Sequence, residues 1–189
     1  MAGGYLDSDM MDEDIDQLPV YRFNHWHLID IFIYFSHHFI TIPPLRWINQ
    51  AHSRGVKVYG TVIFEDFKSF SSEPFIELLN PEKPLNWRFM GHHLDRIRRE
   101  LNFEGWLINF EAQVAPEPNR KLRHTLSSFL NLLRSLGSEV IWYDALTWSG
   151  KLKFQNALSF ENKCYFAASD GIFTNYVWNY DLLRQSQAL

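Results

Sequence analysis

Cysteine is nearly absent. Cys164 is the only one in 189 residues, so no disulfide can close within the chain. No Asn-x-Ser/Thr acceptor occurs, although asparagine is common, and the N-terminus carries no basic region followed by an apolar run. No apolar stretch reaches membrane-spanning length. These absences together point to the cytosol. Positive charge is not in excess either. Eighteen Lys and Arg against 22 Asp and Glu give a net charge of −4, which argues against a nucleic-acid or anionic-membrane footprint. No Gly-rich phosphate fingerprint follows any predicted strand, and no H-E-x-x-H, cysteine cluster or Asp-rich loop suggests a metal. No G-x-S-x-G elbow occurs, which disfavours a serine hydrolase. The chain is therefore expected to use no cofactor and no metal, and to bind neither nucleic acid nor membrane.

Aromatic residues are abundant, at 16% of the chain, and this surplus invites a search for an aromatic-lined site. The acidic opening "LDSDMMDEDIDQ" (Leu6–Gln17) has few β formers, and residues 1–20 are expected to be a loose, solvated arm. Residues 21–189 are long enough for one domain with a substantial core.

Through that domain, apolar runs rich in β-branched and aromatic residues alternate with amphipathic segments. Strands are predicted at 28–38, 56–65, 105–110, 139–146 and 171–178. Helices are predicted at 45–55 and 119–137, each closed by a glycine, and at 84–103 and 151–161. In the helix at 84–103, Phe89, Leu94, Ile97 and Leu101 share one side by spacing. Repeated strand–helix alternation with helix-length crossovers predicts parallel strands in right-handed βαβ units. The strands read as nearly continuous apolar runs, as strands covered on both faces do. The fold class is α/β, either an open doubly wound sheet or part of a (β/α)8 barrel.

Polar residues gather at the C-terminal ends of these strands: His37 and His38, Glu65, Asn109 and Glu111, Tyr143 and Asp144, Asn175. In both parallel architectures that edge carries the active site. Asn109 and Glu111 lie two apart on one strand, so an amide and a carboxylate face the same side. Glu65 fits a general acid or an ion pair with a nearby Lys or Arg. Tyr143 and Asp144 fit substrate orientation, or Tyr143 fits the core with its hydroxyl satisfied. His37 and His38, adjacent on a strand, point to opposite faces and make a poor chelating pair. Tyr143, Trp148 and Trp178 lie at or just past strand ends, where aromatic faces stack well on sugar rings. An aromatic cleft with one carboxylate and one amide suits a neutral, hydroxyl-rich substrate.

The stretch "GWLINFE" at 105–111 resembles the catalytic strand of the cytosolic endo-β-N-acetylglucosaminidases, glycoside hydrolase family 85. "GGYLD", "IDIFIYFSHH" with "TIPP", "GVKVYGTVIFE", "VIWYDAL", "SGKLKFQ" and "DGIFTNYVW" support the resemblance in the same order. It covers nearly the whole chain. The resemblance implies an enzyme that cuts the N,N'-diacetylchitobiose core of N-linked oligosaccharides or glycopeptides. It implies retention of configuration, with the substrate's own 2-acetamido oxygen attacking the anomeric carbon to give an oxazoline. Glu111 is then the general acid and later the base, Asn109 orients the acetamido group, and Tyr143 helps hold it. Trp178 and Trp148 line the sugar cleft, with Glu65, His37 and Asn175 as further substrate-binding candidates. A substrate that supplies the nucleophile makes a second catalytic carboxylate dispensable.

The pattern departs from the family at Asp66, which follows "VIFE" where the family carries Trp. The resemblance also implies a full barrel of about 250 residues. The five predicted strands correspond to its second to sixth, so the fold is expected to be an incomplete TIM-type (β/α)8 barrel. Its edges, near Ile31 and Phe173, would expose unpaired backbone and invite association through the open sheet edges. A truncated, inactive homologue with at most weak glycan binding is the alternative expectation.

Overall fold

The computed structural model describes Asp9 and residues 23–65, 80, 83–112 and 119–189. Five parallel strands lie side by side in chain order: β1 (Ile31–Ile33), β3 (Lys57–Glu65), β4 (Gly105–Glu111), β5 (Glu139–Tyr143) and β6 (Gly171–Phe173). A sixth, β2 (Ile40–Thr41), pairs antiparallel with β3. The helices are α1 (Leu45–His52), α2 (Pro84–Leu101), α3 (Asn119–Ser135), α4 (Lys163–Ala167) and α5 (Tyr180–Gln187). A doubly wound sheet reverses its strand order at a switch point. Here the order runs one way from β1 to β6, as in a singly wound barrel. The sheet is a curled parallel half-barrel of (β/α)8 type. Its outermost strands are β1 and β6. No helix among the described residues is long and apolar enough to cross a membrane.

Strand alternation divides the side chains between two faces. On the outer face, Val58, Val62 and Phe64 of β3, Trp106, Ile108 and Phe110 of β4, and Val140 and Trp142 of β5 pack against the helices. The α3 residues Leu126, Phe129, Leu130 and Leu133 follow helical spacing and are fully buried. Each buried side chain of this kind contributes about 1.5–3 kcal/mol. On the inner face a smaller cluster forms around Leu107, Tyr143 and Ala145, with Ile33, Ile141 and Phe154 against it. At the N-terminal end of that face, the Lys57 ammonium lies 2.6 Å from Glu139, and the Tyr59 hydroxyl donates to the same carboxylate. Burial pushes the Glu139 carboxyl up, but hydrogen bonds from Lys57 and Tyr59 outweigh it and hold Glu139 below the usual range.

Four sequence expectations need correction. The strand expected at 28–38 pairs with β3 over Ile31–Ile33, extended by one bond at each end, from the Lys57 N–H to the Asp30 carbonyl and from the Tyr34 N–H to the Tyr59 carbonyl. The chain then bends and returns as β2. Ser36 holds the bend, with its Oγ 2.6 Å from Thr41 Oγ1 and accepting from the His38 N–H. The last strand ends at Phe173 rather than Trp178. Phe89 does not share the buried side of α2. It is 65% exposed and lies against the tilted His93 ring, while Trp87, Met90 and Leu94 face the core. The segment at 151–161 is not a helix. Its amides are taken elsewhere: the buried Asp144 carboxylate accepts from the Gln155 and Asn156 N–H groups and from the Asn162 amide. The Lys153 N–H goes to the Ala145 carbonyl, and Asn156 sits in left-handed backbone at φ 57°. A helical ladder cannot form once those donors are committed. Only the five-residue α4 stands between this segment and β6.

Of the arm expected at 1–20, Asp9 alone is described. It is buried, accepting from the Tyr34 hydroxyl at 2.7 Å and the Trp47 indole at 2.9 Å. The departure at Asp66 lies outside the described residues.

Two strand glycines make opposite demands. A Cβ at Gly105 would fall 2.0 Å from the Glu139 carbonyl oxygen, whereas at Gly171 the nearest atom is 3.9 Å away. Gly105→Ala is expected to destabilise the fold by at least about 1–3 kcal/mol through forced strand separation. Gly171→Ala should stay close to wild type. Urea titration of both variants checks the contrast.

Candidate active site

β4 places its inner-face residues in a row, Leu107, Asn109 and Glu111, with Ile108 and Phe110 turned to the core behind. The in-register pairing of β3 and β4 sets Ile63 beside Asn109 and Glu65 beside Glu111. Tyr143 ends β5, opposite Phe173 on β6. Together these strand ends open into a cavity of about 500 Å³. Its polar wall is His37, Asn109, Glu111 and Tyr143; Phe173 and Tyr176 form an aromatic side. Ile31, Ile33, Phe35 and Leu107 supply apolar lining.

Asn109 is 3% exposed, and its side-chain oxygen Oδ1 is buried without a hydrogen-bond partner among the described residues. An orphaned acceptor of this kind costs about 1–3 kcal/mol, so it marks a site prepared for a donor. The Asn109 side chain also hydrogen-bonds Glu111. Burial pushes the Glu111 carboxyl above the ordinary glutamate range. The Asn109 hydrogen bond opposes that rise, the neighbouring Glu65 adds to it, and His37 counters it. A carboxyl held up in this way can stay protonated long enough to act as an acid. Burial, with Glu111 as the next contributor, raises Tyr143 to about 12, so its phenol remains a hydrogen-bond donor at neutral pH. The Tyr143 hydroxyl lies 3.5 Å from Asn175 Oδ1.

His37, Asn109, Glu111 and Tyr143, all expected from strand ends, therefore converge on one cleft. Glu65 stands behind it, paired with His37 rather than with a Lys or Arg, at 3.0 Å from Nδ1. Asn175 reaches it through Tyr143. Two aromatic candidates are not brought in. Trp148 packs on the helix side, edge-on to His124, near Tyr165 and under the Arg123 guanidinium. Trp178 is half exposed beside Tyr180 and does not line the cavity. Asp144 does not line the cavity either, because it organises the loop after β5. The aromatic side that does line the cleft is Phe173 and Tyr176, neither of which is among the wall residues expected from the sequence. The signal was available in β6, whose alternation puts Phe173 on the same face as Tyr143.

A family model described as glycosyl hydrolase family 85 matches residues 5–189. The chain is 38% identical to the cytosolic endo-beta-N-acetylglucosaminidase of Gallus gallus, across all of this chain and 26% of that protein. It is 38% identical to the Homo sapiens protein of the same name, across 98% of this chain and 25% of that one. The chain thus spans about a quarter of the length of the curated relatives it matches. Among solved structures, the glycoside hydrolase domain of Endo-D from Streptococcus pneumoniae R6 superposes with a TM-score of 0.68 at 21% identity. That match covers 88% of this chain and 27% of the other. It shows a shared fold.

The raised Glu111 carboxyl carries a stability cost at neutral pH. A carboxyl whose folded pKa exceeds its unfolded one favours the fold below the unfolded value, and that favour is lost as pH rises through the folded value. Glu111→Gln should therefore melt at a higher temperature than wild type at neutral pH. The gap should close below 4.5, the ordinary glutamate value. Thermal melts at the two pH values check both halves.

Proposed function

The chain belongs to glycosyl hydrolase family 85, and from that membership and the geometry of its cleft we propose that it acts in the cytosol as an endo-β-N-acetylglucosaminidase. Its substrate is the N,N'-diacetylchitobiose core of an N-linked oligosaccharide or glycopeptide. The reaction retains configuration by substrate assistance. The observation that carries this reading is the buried, unpartnered Asn109 Oδ1 beside a carboxyl pushed upward by burial.

In the first step, the 2-acetamido oxygen attacks the anomeric carbon as the glycosidic C–O bond breaks. Glu111 gives its proton to the leaving oxygen. Asn109 Oδ1 accepts the acetamido N–H, steering the amide oxygen toward the carbon and supporting charge as the ring closes. Tyr143, protonated throughout, donates to the same group. In the second step, Glu111 takes a proton from water. That water attacks the anomeric carbon, opens the oxazoline and regenerates the acetamide. The amide approaches the anomeric carbon from one face and water from the opposite face, so two inversions leave the configuration retained. Phe173 and Tyr176 offer the flat surfaces on which a sugar ring stacks.

Glu111→Gln is expected to lower kcat on a high-mannose glycopeptide by roughly 10²–10⁴-fold, the usual worth of a general acid. Asn109→Ala should cost about 10²-fold in kcat with a smaller change in KM, since its bond strengthens as charge develops. NMR of the first-formed product should show retained configuration. Inversion, or full activity in Glu111→Gln, would overturn the reading. Glycan binding by the folded chain without turnover would favour an inactive homologue.

A further inference from the structure

Two carboxylates end adjacent strands side by side, one in the cleft and one behind it. Glu65 and Glu111 are register partners on adjacent parallel strands, and both point to the inner face. In retaining glycosidases a carboxyl pair about 5–5.5 Å apart supplies an acid and a nucleophile. Glu65 does not fit the second part. It is 9% exposed, it does not line the cavity, and both its oxygens lie within reach of His37 Nδ1, at 3.0 and 3.2 Å. His37, by contrast, does line the cavity, and its side chain is 61% exposed. The chain therefore keeps a second carboxylate one strand away from its acid, withdraws it from substrate, and ties it to a histidine facing solvent.

We propose that Glu65 and His37 form a positioning pair that sets the protonation of Glu111. This rests on the reading of Glu111 as the acid. The Glu65 carboxylate makes loss of the Glu111 proton harder, because two adjacent negative charges in a poorly solvated cleft repel. His37, when protonated, offsets Glu65 and makes that loss easier. The pair thus works as two opposed charges on one target. The groups facing Glu111 from the packed elements are Glu65 on β3, His37 after β1, Asn109 on β4 itself and Tyr143 on β5, with Tyr176 across the cleft. Among the described residues, no lysine or arginine lines the cavity.

The test uses the full chain labelled with ¹³C-glutamate, its Glu111 carboxyl signal identified by its loss in Glu111→Gln. In Glu65→Gln the Glu111 carboxyl should titrate at lower pH than in wild type. In His37→Gln it should titrate at higher pH. The alkaline limb of kcat/KM on the glycopeptide should move in the same two directions. A purely structural role for the pair would not give shifts of opposite sign. Shifts of the same sign, a shift in one variant only, or none would each overturn the proposal. If Glu65→Gln does not fold, His37→Gln decides alone, upward shift for and no shift against, since its side chain is largely in solvent. The two readings also fail separately. Opposed NMR shifts without turnover would sink the enzymatic reading and leave the coupling standing. Turnover with an unmoved Glu111 signal would do the reverse.

Discussion

The in-register pairing of β3 with β4 is the constraint on which the remainder depends. It runs without a break from Tyr59 opposite Gly105 to Glu65 opposite Glu111. Because strand side chains alternate, that register decides which residues meet the helices and which meet the cleft. A slip of one position would turn Asn109 and Glu111 into the apolar layer and bring Phe110 into the cavity. The buried outer residues oppose such a slip: Phe64, Trp106, Ile108 and Phe110 are all fully covered. The glycine opening β4 belongs to the same constraint, since it lets β5 approach closely enough to continue the sheet. The apolar core and the polar site are thus two faces of one pairing.

Much of this was legible in the sequence. β4 could be read directly, because a continuous apolar run ending in two polar residues two apart has few other solutions. The helices α1, α2 and α3 were legible from spacing and from their ends: Gly55 and Gly137 adopt positive φ where the helices close. What could not be read came from tertiary competition for local groups. The 151–161 segment has helical composition, but a buried Asp144 distant by up to 12 positions captures its amides. Likewise, the apolar run from Leu28 gives no sign that Ser36 and Thr41 will meet and fold it back on the same edge of β3.

The site divides along similar lines. Residues on strands, Asn109, Glu111 and Tyr143, could be placed by alternation alone. Residues after strands could not. Trp148 and Trp178 were attractive because they follow strand ends, yet the chain turns before either reaches the cleft, and Trp148 enters the helical layer. Phe173 and Tyr176 take the position expected of them. The Glu65–His37 pairing depended on the bend after β1, so a partner was foreseeable for Glu65 but its identity was not.

The inner face carries a glutamate at each end, and their environments are opposite. Glu139, held below its usual range by Lys57 and Tyr59, supports the folded state above 4.5 and withdraws that support as acid protonates it. Glu111, held above that range by burial, supports the folded state below 4.5 and withdraws as base ionises it. The two linkages therefore meet rather than cancel. Their joint contribution is greatest near the intrinsic value of a glutamate and declines on both sides. Rising pH thus locks the sheet at the end that carries the Lys57–Glu139 pair and loosens it at the end that opens into the cavity, so the two ends of one barrel wall answer to pH in opposite senses.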